Sequence, residues 1–284
     1  MNNLGERIAY YRNLKGLSIK SLAENICDDS TIYRLEKGKQ LPRIEILNDI
    51  CMKLEINFNT LLPIGSETAD LKKLCREFAY KEDYQSLELI LEECSYYLNR
   101  LTSNYSKAQF TKFIEWHRAI VLHKRDNCVD EALSILTELV VLNKVSSEID
   151  IGIMNSIGLI YLSNMKYESA YKIYQKIYTN VMNLEIIEDY TLLPRVGYNY
   201  AYSLYETGQY KEGLTIAKQV LKYLNESHLL YLLGEIHHMI GVFSKKNGDS
   251  KESKEAFKNA ILVFTLTKNV KDLARSEKDL LEIN

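Results

Sequence analysis

A short polar and cationic stripe near the start of the chain has the residue types and spacing to contact a nucleic acid. Its members recur at helical intervals opposite two apolar residues, and they are Ser30, Tyr33, Arg34 and Lys37. Hydroxyl and guanidinium groups can bond base edges, while cations contact phosphates. A short helix anchored only by Ile32 and Leu35 would fit the major groove of DNA. The alternative is an ordinary solvated helix face, and the stripe alone would favour that alternative.

Other predicted helices surround the stripe and would position it. One runs from Leu4 to Lys15, and a second covers residues 19–26 with apolar side chains at i, i+3, i+4 and i+7. A turn follows in which an Asp can cap the stripe helix, and Gly38 is suited to end that helix. Pro42 opens a fourth helix, and residues 57–62 form a short fifth. Together they predict a compact five-helix helix-turn-helix domain over residues 1–62.

The DNA contacts expected of this domain follow from its polar side chains. The predicted DNA-contacting residues are Lys20, Ser30, Thr31, Tyr33, Arg34, Lys37 and Lys39, with the lysines nearer phosphates. Residues 1–65 carry only 9 Lys or Arg against 8 Asp or Glu, so one copy would bind weakly and lose affinity quickly with salt. We therefore expect a homodimer on double-stranded DNA, at an operator with two half-sites.

Two further residue sets in this domain have a structural interpretation beside a functional one. Cys27 lies in the turn before the stripe helix, where a thiol sensor is one interpretation and a small buried cysteine is the commoner one. Arg12 and Glu36 can form a pair that ties the first helix to the third, and we interpret that pair as structural.

Composition excludes several classes of protein. The chain of 284 residues is 46% hydrophobic and 26% charged, with only 3 Pro and 12 Gly, which indicates a soluble, mainly helical protein with short loops. No signal peptide or membrane-length apolar run is visible, so we expect a cytoplasmic protein without membrane contact. The five cysteines form no C-x-x-C pair, which argues against a disulfide framework or a metal site. Without a phosphate loop or nucleophile motif, we expect no catalytic residue, no cofactor and no enzyme activity.

The rest of the chain repeats loosely after a boundary at residues 62–66 marked by Pro and Gly. Small residues twelve apart recur as Gly158 with Ala170, Ala201 with Gly213, and Gly241 with Ser253. Two weaker units keep this spacing with larger residues, Ile120 with Ala132 and Cys75 with Leu87. Twelve residues suit one helix leaving a contact point and a second helix returning to it. We therefore predict an all-α chain, with a linker at 63–66 and about five stacked hairpins over 67–284, capped by a last helix.

Two segments carry a resemblance to a known family. LSIKSLAENICDDSTIYRLEKGKQLP and RVGYNYAYSLY are similar to segments of the PlcR-like peptide-responsive transcriptional regulators, the Rap/Rgg/NprR/PlcR/PrgX group, and IMNSIGLIY is a looser match. The resemblance implies a right-handed solenoid of tetratricopeptide (TPR)-like repeats that binds a short signalling peptide. It also implies that asparagines on the concave side, here Asn155 and Asn199, hold that peptide. Residues 235–239 read EIHHM where the family pattern implies Gln, Tyr and Gln, so we expect a peptide of different sequence.

The concave side of such a solenoid would be lined by the first helix of each hairpin. An Asn amide both donates and accepts, so it can bridge to the N–H and C=O groups of an extended peptide, and tyrosines supply large contact surfaces. The predicted peptide-contacting residues are Arg118, Asn155, Asn199, Tyr202, Glu235 and His238. For either Asn the alternative is a structural hydrogen bond to a helix carbonyl or a neighbouring repeat.

These expectations lead to two hypotheses about function. The first is a quorum-sensing transcriptional regulator controlled by a short intracellular signalling peptide. The second is a TPR scaffold that regulates a folded protein partner, with DNA binding secondary. A narrow groove with a closed end favours a peptide, whereas a broad open groove favours a protein.

Overall fold

The chain is helical wherever its regular structure is described. The computed structural model describes residues 4–56, 61, 66–140, 147–184 and 188–283. Within these ranges there are fifteen α-helices and no strand. None of the described helices is both long enough and apolar enough to cross a membrane. The predicted all-α fold class is therefore confirmed.

Two compact units divide the chain, Met1–Arg76 and Glu77–Asn284. Four short helices open the first unit: α1 (Leu4–Leu14), α2 (Ile19–Ala23), α3 (Asp29–Glu36) and α4 (Ile44–Leu54). Their apolar faces meet in one core, whose fully buried members include Ile8, Leu22, Ile32, Leu35, Ile50 and Leu54. Gly5 lets α1 approach α3 closely, because a Cβ there would lie 2.2 Å from the carbonyl oxygen of Leu35.

The ends of these helices differ in part from the sequence predictions. Ser18 caps α2 by accepting a hydrogen bond from the N–H of Ser21 at 2.9 Å. Asp28 occupies the N-cap position of α3 but makes no side-chain cap bond, so the prediction of an Asp cap is wrong for its side chain. α4 begins at Ile44 rather than at Pro42, because Arg43 still has an extended backbone. The predicted fifth helix, residues 57–62, lies outside the described residues except for Leu61, which is buried.

Five consecutive helix pairs and a terminal helix follow. The pairs are α5 (Ser66–Tyr80) with α6 (Tyr84–Leu98), α7 (Asn104–Lys124) with α8 (Val129–Leu139), α9 (Glu148–Ser163) with α10 (Tyr167–Met182), α11 (Leu192–Glu206) with α12 (Tyr210–Glu226), and α13 (Leu233–Lys246) with α14 (Ser250–Thr267), before α15 (Val270–Leu281). From α6 onward each helix packs on the next one. In addition, α7 packs on α9, α9 on α11, α11 on α13 and α13 on α15. The first helices of the last four hairpins and α15 therefore form one layer, which we call the inner layer.

One of the three pairs of small residues spaced twelve apart, Gly241 with Ser253, is in direct contact. Ser253 on α14 donates its hydroxyl to the carbonyl of Gly241 on α13 at 2.7 Å. A Cβ on Gly241 would lie 2.8 Å from the ring of Phe257, so glycine leaves room for an aromatic ring from the returning helix. Gly158 does the same for Tyr174, whose ring carbon Cζ would be 2.5 Å from an added Cβ. The small residues therefore mark close helix approach within these two hairpins, whereas a Cβ on Gly213 would meet the ring of Phe243 in the next hairpin.

Candidate functional site

The outer stripe of α3 is exposed, as the sequence predicts. Ile32 and Leu35 are buried and hold the helix, while Ser30, Arg34 and Lys37 are exposed and Tyr33 is 47% exposed. The guanidinium of Arg34 lies back along the stripe, with its Nε 3.2 Å from the carbonyl oxygen of Ser30 and its Nη2 3.4 Å from the hydroxyl. The face therefore presents a cation already placed beside a hydroxyl, next to a phenol ring.

The other predicted DNA-contacting residues flank this stripe with different exposure. Lys20 on α2 and Lys39 after α3 are both exposed, which suits contacts to phosphates. Thr31 is half-buried, so less of its side chain is available to contact DNA than is the case for its exposed neighbours. Cys27 is half-buried as well, and burial raises the pKa of its thiol, which favours the inert interpretation.

A buried ion pair fixes how α3 is presented. Arg12 on α1 binds Glu36 at the end of α3 through two bonds, Nε to Oε1 at 2.5 Å and Nη2 to Oε2 at 3.0 Å. Its Nη1 also donates to the carbonyl of Leu17 at 2.8 Å. Because these side chains are only 12% and 9% exposed, the pair is a rigid link between α1, the following turn and α3. The predicted structural pairing is confirmed.

In the second unit, the two predicted asparagines contact each other. Nδ2 of Asn199 on α11 donates to Oδ1 of Asn155 on α9 at 2.9 Å. Asn155 is 5% exposed, and its main-chain carbonyl accepts the hydroxyl of Tyr174 at 3.1 Å. The bond between neighbouring repeats expected under the structural alternative is therefore present. Among the described residues, Nδ2 of Asn155 and Oδ1 of Asn199 have no further partner, which leaves one donor and one acceptor on adjacent helices.

Half-exposed side chains continue this surface along α11 and onto α13. We call the set the inner face, and its members are Asn155, Tyr198, Asn199, Tyr202 and Glu235. Burial raises the pKa of Tyr202 to about 12, and a hydrogen bond to the carboxylate of Glu206 acts in the same direction. Burial also raises the pKa of Tyr198. Tyr198 and Tyr202 therefore stay neutral at ordinary pH, and each presents a hydroxyl and a ring. The inner face combines amides, phenols and one carboxylate.

A polar network that the sequence did not reveal sets the position of α11. The carboxylate of Glu148 at the start of α9 accepts the N–H groups of Glu188 and Asp189 at 2.8 and 2.9 Å. Asp189 in turn accepts the hydroxyl of Thr191 at 2.5 Å and Nη2 of Arg195 at 2.6 Å. These bonds anchor the first turn of α11 on α9 and so hold the asparagine pair in register. Asp-x-Thr before a helix is the one sequence pattern that could have indicated the cap.

Arg118 contacts the preceding hairpin. Its guanidinium donates to Glu115 on α7 at 2.6 Å and to the hydroxyl of Ser95 on α6 at 3.0 Å. It also lines a cleft of about 310 Å³ between α6 and α7, together with Glu92 and Arg125. The residues described here give no contact between Arg118 and the asparagine pair.

His238 is a residue of α13, and its side chain contacts α15. It is 4% exposed, with Nδ1 2.9 Å from the hydroxyl of Ser276 and Nε2 3.4 Å from a carboxylate oxygen of Asp279. Burial lowers its pKa to about 4, so the ring is neutral at ordinary pH. This placement gives His238 a structural contact, and we do not keep it among the proposed peptide contacts.

Comparison with known families covers both units. The family described as the RNPP family C-terminal domain matches residues 69–273, and a helix-turn-helix family matches residues 8–61. The chain belongs to the RNPP family. The family resemblance noted in the sequence is thereby confirmed. No curated protein matches the sequence closely enough to be counted as a relative.

Solved structures share this RNPP fold over nearly the whole chain. PlcR from Bacillus thuringiensis, in complex with the peptide PapR7 and DNA, is 21% identical with a TM-score of 0.75 over 99% of this chain and 100% of that chain. ComR from S. thermophilus, in complex with DNA and its signalling peptide ComS, is 16% identical with a TM-score of 0.62 over 98% and 99%. The SHP pheromone receptor Rgg2 from Streptococcus dysgalactiae is 16% identical with a TM-score of 0.66 over 99% of each chain. At these identities the likeness shows a shared fold.

Both candidate surfaces lie inside the matched regions. The α3 stripe belongs to the helix-turn-helix match, and the inner face belongs to the RNPP C-terminal match. Of the predicted peptide-contacting residues, Asn155, Asn199, Tyr202 and Glu235 lie on the inner face, whereas Glu148, Asp189 and Arg195, whose bonds orient α11, were not predicted from the sequence.

Proposed function

We propose that this RNPP protein is a quorum-sensing transcriptional regulator, which binds DNA through its helix-turn-helix and a short signalling peptide on its inner face. The observation that carries the proposal is the hydrogen-bonded pair Asn155–Asn199, which lies on the inner layer with a free donor and a free acceptor. PlcR and ComR, which share the fold, were solved with both DNA and a peptide. Neither role requires catalysis.

DNA recognition in this proposal uses the exposed stripe of α3. Ser30, Tyr33 and Arg34 face the base edges in the major groove, since they project from the side opposite the buried anchors. The phosphate contacts are proposed for Lys20, Lys37 and Lys39. Because one copy offers few cations, a homodimer supplies the affinity, and the spacing between its two α3 helices must match the two half-sites of the operator.

Peptide recognition uses the free atoms of the asparagine pair. Nδ2 of Asn155 would donate to a peptide carbonyl and Oδ1 of Asn199 would accept a peptide N–H, which grips an extended backbone without reading its sequence. Tyr198 and Tyr202 add ring surfaces that lose little conformational entropy on binding. The proposed peptide contacts on the inner face are Asn155, Tyr198, Asn199, Tyr202 and Glu235, and Arg118 is proposed as a contact outside that face.

The proposed roles belong to successive segments of the chain. Residues 1–62 read DNA, residues 63–66 connect, and residues 67–284 bind the peptide and hold the dimer. For the peptide to control DNA binding it must bind more tightly to one arrangement of the dimer than to another. That difference in affinity sets how far the peptide can shift the population.

A mobility-shift assay tests the proposal. The full chain is mixed with DNA from upstream of its own gene, with and without synthetic peptides encoded by neighbouring short open reading frames. We expect one of these peptides to change the affinity of the chain for that DNA by about tenfold or more, the usual size of allosteric coupling. An affinity that no short peptide alters would contradict the proposed function.

A further inference from the structure

Several charged groups on the inner helices form ion pairs. Examples are Lys112 with Asp150, Arg195 with Asp189, and Lys245 with Glu282. Glu235 on α13 differs from these groups. Among the described residues it forms no ion pair and no hydrogen bond to another side chain, and only its own backbone N–H bonds its carboxylate.

Glu235 is placed where an unmatched charge is unfavourable. It is half-buried in the first turn of α13, a helix that packs on α11, which carries Tyr198. Burial raises the pKa of Tyr198, Arg275 opposes that shift, and the charge of Glu235 adds to it. Burial also raises the pKa of Tyr231, with a smaller contribution from the charge of Glu235. The carboxylate thus lies close to two phenols in a partly dry part of the inner face.

Among the residues that the structure describes, no Lys, Arg or His forms an ion pair with this carboxylate. Burial raises the pKa of Glu235, its own backbone N–H opposes the shift, and the nearby charge of Asp272 on α15 adds to it. Arg275 acts on Tyr198 and His238 but forms no ion pair with Glu235. Glu235 and Asp272 are both half-buried, and their charges add to each other on this part of the inner face, where Arg275 and Arg195 act on the neighbouring tyrosines in the opposite direction.

A purely structural role accounts for only part of this arrangement. An acidic residue in a first turn stabilises a helix through the macrodipole, and α13 has no side-chain cap at Leu232. Exposed acids in the first turns of other helices, such as Glu168 in α10 and Glu212 in α12, are placed for that effect without burial. The burial of Glu235 beside tyrosines is what remains to be explained.

We propose that Glu235 selects signalling peptides that carry a cationic group, either a free α-ammonium or a Lys or Arg side chain. The inference rests on the proposed function and names the class of peptide that the inner face accepts. The cation forms a charge-assisted hydrogen bond to the carboxylate, and the rings of Tyr198 and Tyr231 flank it. The asparagine pair grips the peptide backbone, and Glu235 adds the selectivity that amides alone do not supply.

Synthetic heptapeptide pools test the inference on the full chain. Each pool fixes one position as Lys, Arg, Gln or Glu, randomises the others, and is made with a free or an acetylated N-terminus. Binding is measured by affinity selection with mass spectrometry, and by fluorescence anisotropy for the enriched peptides. Cationic peptides are expected to bind about tenfold more tightly than their neutral counterparts, the usual worth of one charged hydrogen bond.

Substitutions of Glu235 separate the effect of its charge on peptide binding from an effect on folding. Glu235→Gln is expected to bring the ratio of affinities for cationic and neutral peptides to about one, and Glu235→Lys should favour the Glu pools. The matched control is Glu255→Gln on α14, an exposed carboxylate away from the inner face, which should keep the preference. The comparison of Lys, Gln and Glu pools on the unaltered chain needs no variant, so a folding defect would not remove the test.

The outcomes distinguish the inference from the proposed function. If acetylation alone abolishes the preference, the cation is the α-ammonium, and if a fixed Lys or Arg is needed, it is a side chain; both results support the inference. Equal binding of the acetylated Lys, Gln and Glu pools together with no effect of acetylation, or a preference that survives Glu235→Gln, overturns the inference and leaves peptide binding in place. Failure of every pool to bind overturns the proposed function, and the inference with it.

Discussion

Arg12 and Glu36 are joined by two hydrogen bonds, at 2.5 and 3.0 Å, across the interface between α1 and α3. The pair lies at the end of α3 opposite the turn that enters the helix, so it controls the tilt of the exposed stripe. Both side chains are largely buried, and their mutual contact replaces the water that each has lost. The way in which the exposed stripe of α3 is presented therefore depends on a largely buried ion pair.

Removing one partner of this pair should destabilise the first unit. Glu36→Ala leaves the Arg12 guanidinium buried without a carboxylate, which costs about 3 kcal/mol of unfolding free energy. Thermal unfolding of the full chain should show the loss as an earlier transition. Lys15→Ala, which removes the exposed pair with Glu55, is the matched control and should change stability by less than about 1 kcal/mol. Equal effects of the two substitutions would show that burial does not set the strength of the Arg12–Glu36 pair.

Substitutions on the recognition stripe should separate base reading from phosphate contact. Arg34→Ala should weaken specific binding by about 1–3 kcal/mol and relax the preference for the operator sequence. Lys39→Ala should weaken binding to all sequences alike and lower the salt dependence by about one unit of slope. Mobility shifts on operator and unrelated DNA at several salt concentrations measure both effects. A uniform loss for Arg34→Ala would assign that side chain to the phosphates instead.

Close packing within the hairpins predicts a second stability effect. Gly158→Ala would place a methyl group 2.5 Å from Cζ of Tyr174, so it should destabilise the second unit by about 1–3 kcal/mol. Combination with Tyr174→Leu should recover part of the loss, because the smaller side chain removes the clash. Ser163→Ala at the half-exposed end of the same helix is the control. Additive losses in the thermal unfolding of the double variant would argue against a direct Gly158–Tyr174 contact.

The buried histidine predicts how stability depends on pH. His238 has a folded-state pKa of about 4, below its ordinary value of about 6.5, so the unfolded chain takes up a proton first as the pH falls. Its contribution to stability is therefore complete above about pH 6.5 and is lost between about pH 6.5 and 4. Across that window the unaltered chain should lose up to about 3 kcal/mol more than His238→Asn, which does not titrate. Urea unfolding at a series of pH values measures the difference, and parallel curves would contradict it.

Local patterns in the sequence were enough to predict the helices and their packing faces. Ile32 and Leu35 indicated which side of α3 is buried, and the twelve-residue spacing of Gly241 and Ser253 identified a contact that the structure contains. Such predictions succeed because helical periodicity and short turns depend on neighbouring residues. The start of α4 was placed two residues early, since helix ends depend on backbone angles that many sequences can adopt.

Contacts between repeats were harder to predict. Asn155 and Asn199 are 44 residues apart, and His238 and Ser276 are 38 apart. Because the repeats differ in length, the register of one hairpin against the next is not readable from a single sequence. The sequence could therefore place His238 on an inner helix but not show that α15 covers it.

The central claim is that a peptide held by the asparagine pair controls DNA binding. The most direct test is a fluorescence anisotropy titration of operator DNA with the unaltered chain and with Asn199→Ala, each with and without an active peptide. Asn199→Ala is expected to bind DNA within about twofold of the unaltered chain in the absence of peptide and to lose most of the peptide response, since one buried amide contact is worth about 1–3 kcal/mol. A variant that keeps the full peptide response, or one that loses basal DNA affinity and peptide response equally, would contradict the account.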